Sequence, residues 1–86
     1  MLENAILKLY RRMRDARRER RARVLDAEAS SCDMAASAYR LTLTLSAGLE
    51  ANSALQLLAR RGMEQSEYQA REARRKAAAI RAGHRV

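Results

Sequence analysis

The chain contains no proline, no phenylalanine and no tryptophan, and only three glycines, one cysteine and one histidine in 86 residues. Without proline, no position is barred from a helix interior. The only aromatics are three tyrosines, so any core is thin and aliphatic, and a chain this short buries a modest one in any case. One cysteine, Cys32, makes no intramolecular disulfide; it fits a reducing compartment and leaves a bond between two chains open. One Cys and one His do not supply the ligands of a metal site. His84 falls in an expected frayed tail, so no Ser/His/Asp or Cys/His set can be assembled on a rigid element. The glycines form no phosphate loop. No cofactor and no enzymatic activity are therefore expected. No apolar run approaches the roughly 20 residues of a membrane span. The N-terminal segment lacks a secretory apolar region, and Glu3, Asp15 and Glu19 argue against an organelle transit peptide. The expectation is one small cytoplasmic domain over residues 1–86.

What is present is helix-forming and basic. Ala, Leu, Arg and Glu dominate, the composition of long helices. Net charge is +8. Residues 1–30 carry nine bases and five acids, residues 31–59 one base and two acids, and residues 60–86 eight bases and three acids. Two basic arms flanking a near-neutral middle favour nucleic acid, an anionic membrane or an acidic protein as partner, or leave a solvated arginine surface. No aromatics interleave the basic runs, which argues against base stacking on single strands; phosphate contact remains open.

The hydrophobic pattern predicts mostly helix. Over residues 2–29, Leu2, Ile6, Leu9, Met13, Ala16, Val24 and Ala27 fall on one stripe at about 100° per residue. Residues 2–16 are expected to pack on it, while the arginines of 17–23 stay wet or meet an anionic partner. Ser30-Ser31-Cys32-Asp33 marks an expected break, because these side chains favour caps. A second helix is expected from about 34 to Arg61, with Gly62 as its C-cap, and a third over about 64–82, with Met63, Ala70, Ala73, Ala77 and Ile80 on its seam. Glu19–Arg23, Glu67–Arg71 and Glu72–Lys76 are spaced for surface ion pairs. Residues 34–68 are the least charged stretch and admit two foldings. As helix, Met34, Ala38, Leu41, Leu45, Gly48, Asn52, Leu55 and Ala59 make one coiled-coil-like seam. As strand and helix, residues 40–45 alternate with period two and Ser46 caps the helix after them.

Three resemblances bear on function. Residues 7–25, LKLYRRMRDARRERRARVL, resemble the start of the coiled-coil stalk proteins of flagellar and type III secretion export. Residues 60–80, RRGMEQSEYQAREARRKAAAI, are similar to the turn and second helix of the small needle-subunit co-chaperones of type III secretion, through Gly62, Tyr68 and Gln69. Arg40-Leu41-Thr42-Leu43-Thr44-Leu45-Ser46, with the turn-like Arg60-Arg61-Gly62-Met63 and Ser66-Glu67, resembles ribbon-helix-helix DNA-binding proteins. That last resemblance implies a dimer whose paired strands enter the major groove, with Arg40, Thr42 and Thr44 reading bases.

The residues favour an all-α antiparallel helical hairpin, coiled-coil-like, with an additional N-terminal basic helix. Its boundaries are expected at 1–30 for the basic helix and 34–82 for the hairpin, with a turn near 62. The expected function is a protein–protein interaction module, such as a small secretion-apparatus stalk or chaperone component, that binds a protein partner or itself. Leu41, Leu45, Leu55 and Leu58 are its candidate interface or core. Arg14, Arg17, Arg18 and Arg21 are its candidate contacts to an acidic partner or to phosphate. The alternative is the DNA-binding regulator with a strand over 40–45.

Overall fold

The computed structural model describes residues 2–47 and 53–84, and it contains two helices, α1 (Leu2–Ser46) and α2 (Ser53–Arg81), with no strand among the described residues. They pack antiparallel: Ala22 of α1 meets Ala77 and Ile80 of α2, and Ala29 meets Ala70 and Ala73. The result is a rod of 75 × 17 × 11 Å. The all-α hairpin is as the composition predicts.

The seam is built from small residues. In α1, Ala22, Ala29 and Ala36 recur every seventh residue and are buried, with Leu25 and Cys32 half-buried between them. In α2, Ala59, Ser66, Ala70, Ala73, Ala77 and Ile80 are buried, spaced by three, four or seven residues. Steps of three and four keep one face turned to the partner helix along its whole length. Methyl side chains let two backbones come close, and each contributes little burial.

A charged ladder runs beside this seam and fixes its register. Arg81 donates to Glu19 at 3.1 Å and to Asp26 at 2.8 Å. Arg74 pairs with Asp33, and Arg40 with Glu67. On α1 the positions 19, 26, 33 and 40 are seven apart, and so are 81, 74 and 67 on α2. The sign reverses on both helices at the Arg40–Glu67 rung. Sliding α2 by one heptad in either direction would therefore set Arg40 against another arginine, and in one direction Asp33 against Glu67 as well. Exposed ion pairs add little stability singly, but like-charge juxtaposition along a ladder selects between registers.

Both expected helix boundaries inside these elements need correction. The helix does not break at 30–33: Cys32 joins the Ala29 cluster, with its thiol 3.9 Å from Gln69 Oε1, and Asp33 pairs with Arg74. Packing across the hairpin outweighs the local preference of Ser and Asp for caps. Nor does the chain turn at Gly62, which lies within α2 opposite the ring of Tyr39. A Cβ at 62 would overlap that ring, so the glycine is there for close approach. The chain instead reverses between Ser46 and Ser53, and Gly48 and Asn52 of the expected 34–59 seam lie outside the described residues. The Gln56 side-chain amide donates to the Ser46 carbonyl at 2.9 Å, satisfying one of the free acceptors at the end of α1. The C-cap expected at 62 occurs at Gly83, with φ of 84°. His84 N–H donates to Ala79 O at 2.9 Å and Gly83 N–H to Ile80 O at 3.0 Å, the paired bonds of a Schellman cap. His84 thus belongs to an ordered helix end.

Residues 40–46 are α-helix, which corrects the strand alternative. Thr42 and Thr44 donate their hydroxyls to the carbonyls of Ala38 and Arg40, at 3.1 and 3.0 Å. Bonds to the carbonyl four residues back satisfy both threonines within the helix. Of the three expected surface pairs, Glu19–Arg23 forms at 3.5 Å, whereas Glu67 turns to Arg40 and Glu72 to Arg75.

Gly62→Ala tests the Tyr39 contact. In an unconstrained helix interior the change stabilises by about 1 kcal/mol. Here the overlap is expected to reverse the sign, since overpacking typically costs about 1–3 kcal/mol. In a Tyr39→Ala background the same change is expected to stabilise, and thermal melting of the two pairs reads the difference. A pH series tests the ladder. Hydrogen bonds from Arg81 and Arg74 hold the carboxyls of Glu19 and Asp33 below their ordinary pKa values. The folded state then binds fewer protons than the unfolded one, so this contribution is present at neutral pH and is lost as pH falls. The melting temperature is expected to drop between about pH 5 and pH 3.

Candidate interaction faces

The placement of the large apolar side chains is the reverse of the usual one. Among the described residues the buried apolar set consists of seven alanines and Ile80. Leucine, methionine and valine side chains instead line the side of α1 turned away from α2. Leu2, Ile6, Leu9, Met13, Ala16, Val24, Ala27, Met34, Ala38, Leu41 and Leu45 are all exposed. Met34 keeps 75% of its surface, Leu45 71% and Val24 67%. They step by three and four along the helix, interrupted only at Arg20 and Ser31, and so form a second seam nearly opposite the alanine seam. The expected packing of residues 2–16 through this stripe is thus not made within the hairpin.

Length contributes to this exposure. α1 has 45 residues and α2 has 29. Because Arg81 reaches Glu19 and Gly83 lies beside Arg18, residues 2–17 extend past the end of α2, and each of them is exposed. At 1.5 Å per residue this is an overhang of about 24 Å. A lone helix of that length is marginal in water.

The candidate residues divide between two places. Leu41, Leu45, Leu55 and Leu58 do not form a core in the hairpin; all four are exposed near the end where the chain reverses. Leu41 and Leu45 belong to the outer stripe of α1, and Leu55 and Leu58 lie on α2. Arg14, Arg17, Arg18 and Arg21 are brought together: with Tyr10 and Met13 they line one groove of about 280 Å³. Arg14 lies 3.7 Å from its neighbour Asp15, and Arg17 and Arg21 pair with no carboxylate among the described residues. Of the residues assigned to base reading, Arg40 is held by Glu67, and Thr42 and Thr44 by their own helix. The α1 half of the alanine seam was not among the expected core positions, although the seven-residue recurrence of Ala22, Ala29 and Ala36 is visible in the sequence.

No helix among the described residues is long and apolar enough to cross a membrane. Comparison with known proteins finds no matching family model, no matching curated protein and no matching solved structure.

Arg14, Arg17 and Arg21 are exposed in the hairpin, and Arg18 is half-buried beside Gly83. Replacing Arg14, Arg17, Arg18 and Arg21 by Gln keeps helix propensity similar. Exposed charges contribute little to the hairpin itself, so melting of the dilute, unassociated chain is expected to stay close to that of the parent. A large drop measured by circular dichroism would place the groove inside a packed assembly.

Proposed function

We propose that the chain is a non-enzymatic helical protein–protein interaction module. The observation that supports this reading is the exposed apolar stripe of α1. Contiguous exposed apolar surface on this scale marks an interaction site. The partner's helix would lie along Leu41, Leu45 and the stripe residues before them, reading anchors at steps of three and four. The arginine groove beside the overhang gives preference to a partner with carboxylates facing Arg14, Arg17, Arg18 and Arg21. Leu55 and Leu58 would extend the contact at the opposite end.

The narrower assignment, a small stalk or chaperone component of a secretion apparatus, rests on the resemblances of residues 7–25 and 60–80. Gly62, the turn residue of the second of these, lies inside α2. A DNA-binding role through a ribbon loses its strand, and any nucleic-acid contact would fall to the arginine groove through phosphate.

Thiol labelling in intact cells tests the interaction reading. In a Cys32→Ser background, Met34→Cys places one thiol in the middle of the outer stripe. It is expected to be protected in the native cell and to become reactive when the protein is purified and diluted. A thiol as reactive in the native cell as in the unfolded protein would show that nothing covers the stripe and would overturn the reading.

A further inference from the structure

We infer that the occupant of the outer stripe is a second copy of this chain, lying antiparallel along α1 so that residue i of one copy faces residue 47−i of the other. The inference rests on the interaction reading above and adds its partner and register. The first ground is size. In this register Leu2 faces Leu45, Ile6 faces Leu41 and Met13 faces Met34. Every one of these side chains is exposed in the hairpin. Of the smaller members, Ala38 faces Leu9 and Ala27 faces Arg20, while Ala16 faces Ser31. A stripe that is its own mirror about the point between Arg23 and Val24 is what an isologous twofold contact requires.

The second ground is charge. Residues 11–23 hold eight arginines and two acids, while residues 24–39 hold Asp26, Glu28 and Asp33 and no base at all. A parallel pairing would lay the two arginine runs side by side. The antiparallel pairing lays each run along the acidic, base-free segment of the other copy. It sets Glu28 between Arg17 and Arg21 of the second copy, on the same edge of the helix. Within one chain, none of these three makes an ion pair among the described residues. Arg20, which interrupts the stripe, faces Ala27, whose small side chain lets the guanidinium reach the solvent edge.

The third ground is coverage. The overhang, residues 2–17, lies along residues 30–45 of the other copy, so the segment that α2 leaves bare is the segment the pairing covers. Two 45-residue helices in side-by-side contact, each about 67 Å long and about 10 Å wide, bury on the order of 1,300 Å² in total, within the range of specific interfaces. An anionic membrane surface fits less well, because the stripe continues past the basic overhang to Leu45 through a segment carrying three acids and no base before Arg40.

Sedimentation equilibrium of the full chain, with disulfide mapping, tests the pairing. The expected mass is twice the 9.7 kDa of one chain. Val24→Lys brings two ammonium groups to the twofold axis among arginines. It is expected to weaken the dimer by roughly a hundredfold or more, while helix content per chain stays, because Val24 is exposed in the hairpin. In a Cys32→Ser background, Met13→Cys and Met34→Cys proteins are each expected to resist disulfide formation alone under mild copper-catalysed oxidation, and to cross-link when mixed. Cross-linking of Met13→Cys with itself would overturn the antiparallel register. A parent chain that is monomeric at all concentrations, or that is monomeric and floats with anionic vesicles, would overturn self-pairing, as would a Val24→Lys chain that remains a tight dimer. If Val24→Lys loses its helix, the disulfide pattern decides alone. A monomeric purified chain whose residue 34 is still protected in cells would sink self-pairing and leave the interaction reading intact, with a different helix on the stripe.

Discussion

Everything in this molecule depends on the small size of the residues between its two helices. Among the described residues seven alanines and one isoleucine make up the buried apolar set, and methyl groups let two helices run close together for most of the length of α2. Close approach brings Arg81, Arg74 and Glu67 within reach of Glu19, Asp26, Asp33 and Arg40. It also makes Gly62 necessary, because the Tyr39 ring needs the space a Cβ would take. The cost of this seam is energetic. Alanine removes little apolar area from water, so contacts between the two helices alone stabilise the hairpin weakly for its length.

The outer stripe completes the physical picture. Leucine, isoleucine, methionine and valine have the larger transfer free energies, and apart from Ile80 and the half-buried Leu25, Leu43 and Met63 those among the described residues stay exposed in the hairpin. A hairpin whose inner seam is small and outer seam is large has more to gain from association than from its own closure. With a second copy on the stripe, as proposed above, folding and association would be coupled and stability would depend on protomer concentration.

The fold class is legible in the sequence, and the phase of α1 is not. Absence of proline and abundance of Ala, Leu, Arg and Glu point to helices, and Ala70, Ala73, Ala77 and Ile80 share a seam in the structure as their spacing predicts. In α1 the bulkiest apolar residues, Leu2 through Leu45, mark out the outward face. The inward face carries Ala22, Ala29 and Ala36, which a hydrophobicity-weighted pattern hardly registers. Ser30 to Asp33 look like a cap because local chemistry favours one; only Arg74 and Gln69, some 40 residues away, explain why the helix continues. Gly62 looks like a C-cap for a similar reason, and the ring that requires it is 23 positions earlier. Arg14, Arg17, Arg18 and Arg21 line one groove because neighbours at steps of three and four lie close on a helix surface whatever the tertiary structure.

The arginine run sets a further constraint on how the overhang can be stable. Arg11, Arg14, Arg17, Arg18 and Arg21 are spaced by three or four, so they repel one another along the helix surface. Each such like-charge neighbour costs a few tenths of a kcal/mol in an isolated helix. Intrinsic propensity does not offset this freely, because arginine is a good helix former but no better than alanine. Glu19 is the nearest acid that α2 engages, and it is already shared between Arg81 and Arg23. Asp15, 3.7 Å from Arg14, is the one other acid within the run, so further relief would come from outside the hairpin: from salt, which screens the run, or from carboxylates on whatever lies along it. An acidic, helical surface both covers the apolar side of residues 2–17 and relaxes the repulsion on their polar side. The two effects act on the same residues, so docking and helix stability in the overhang reinforce each other.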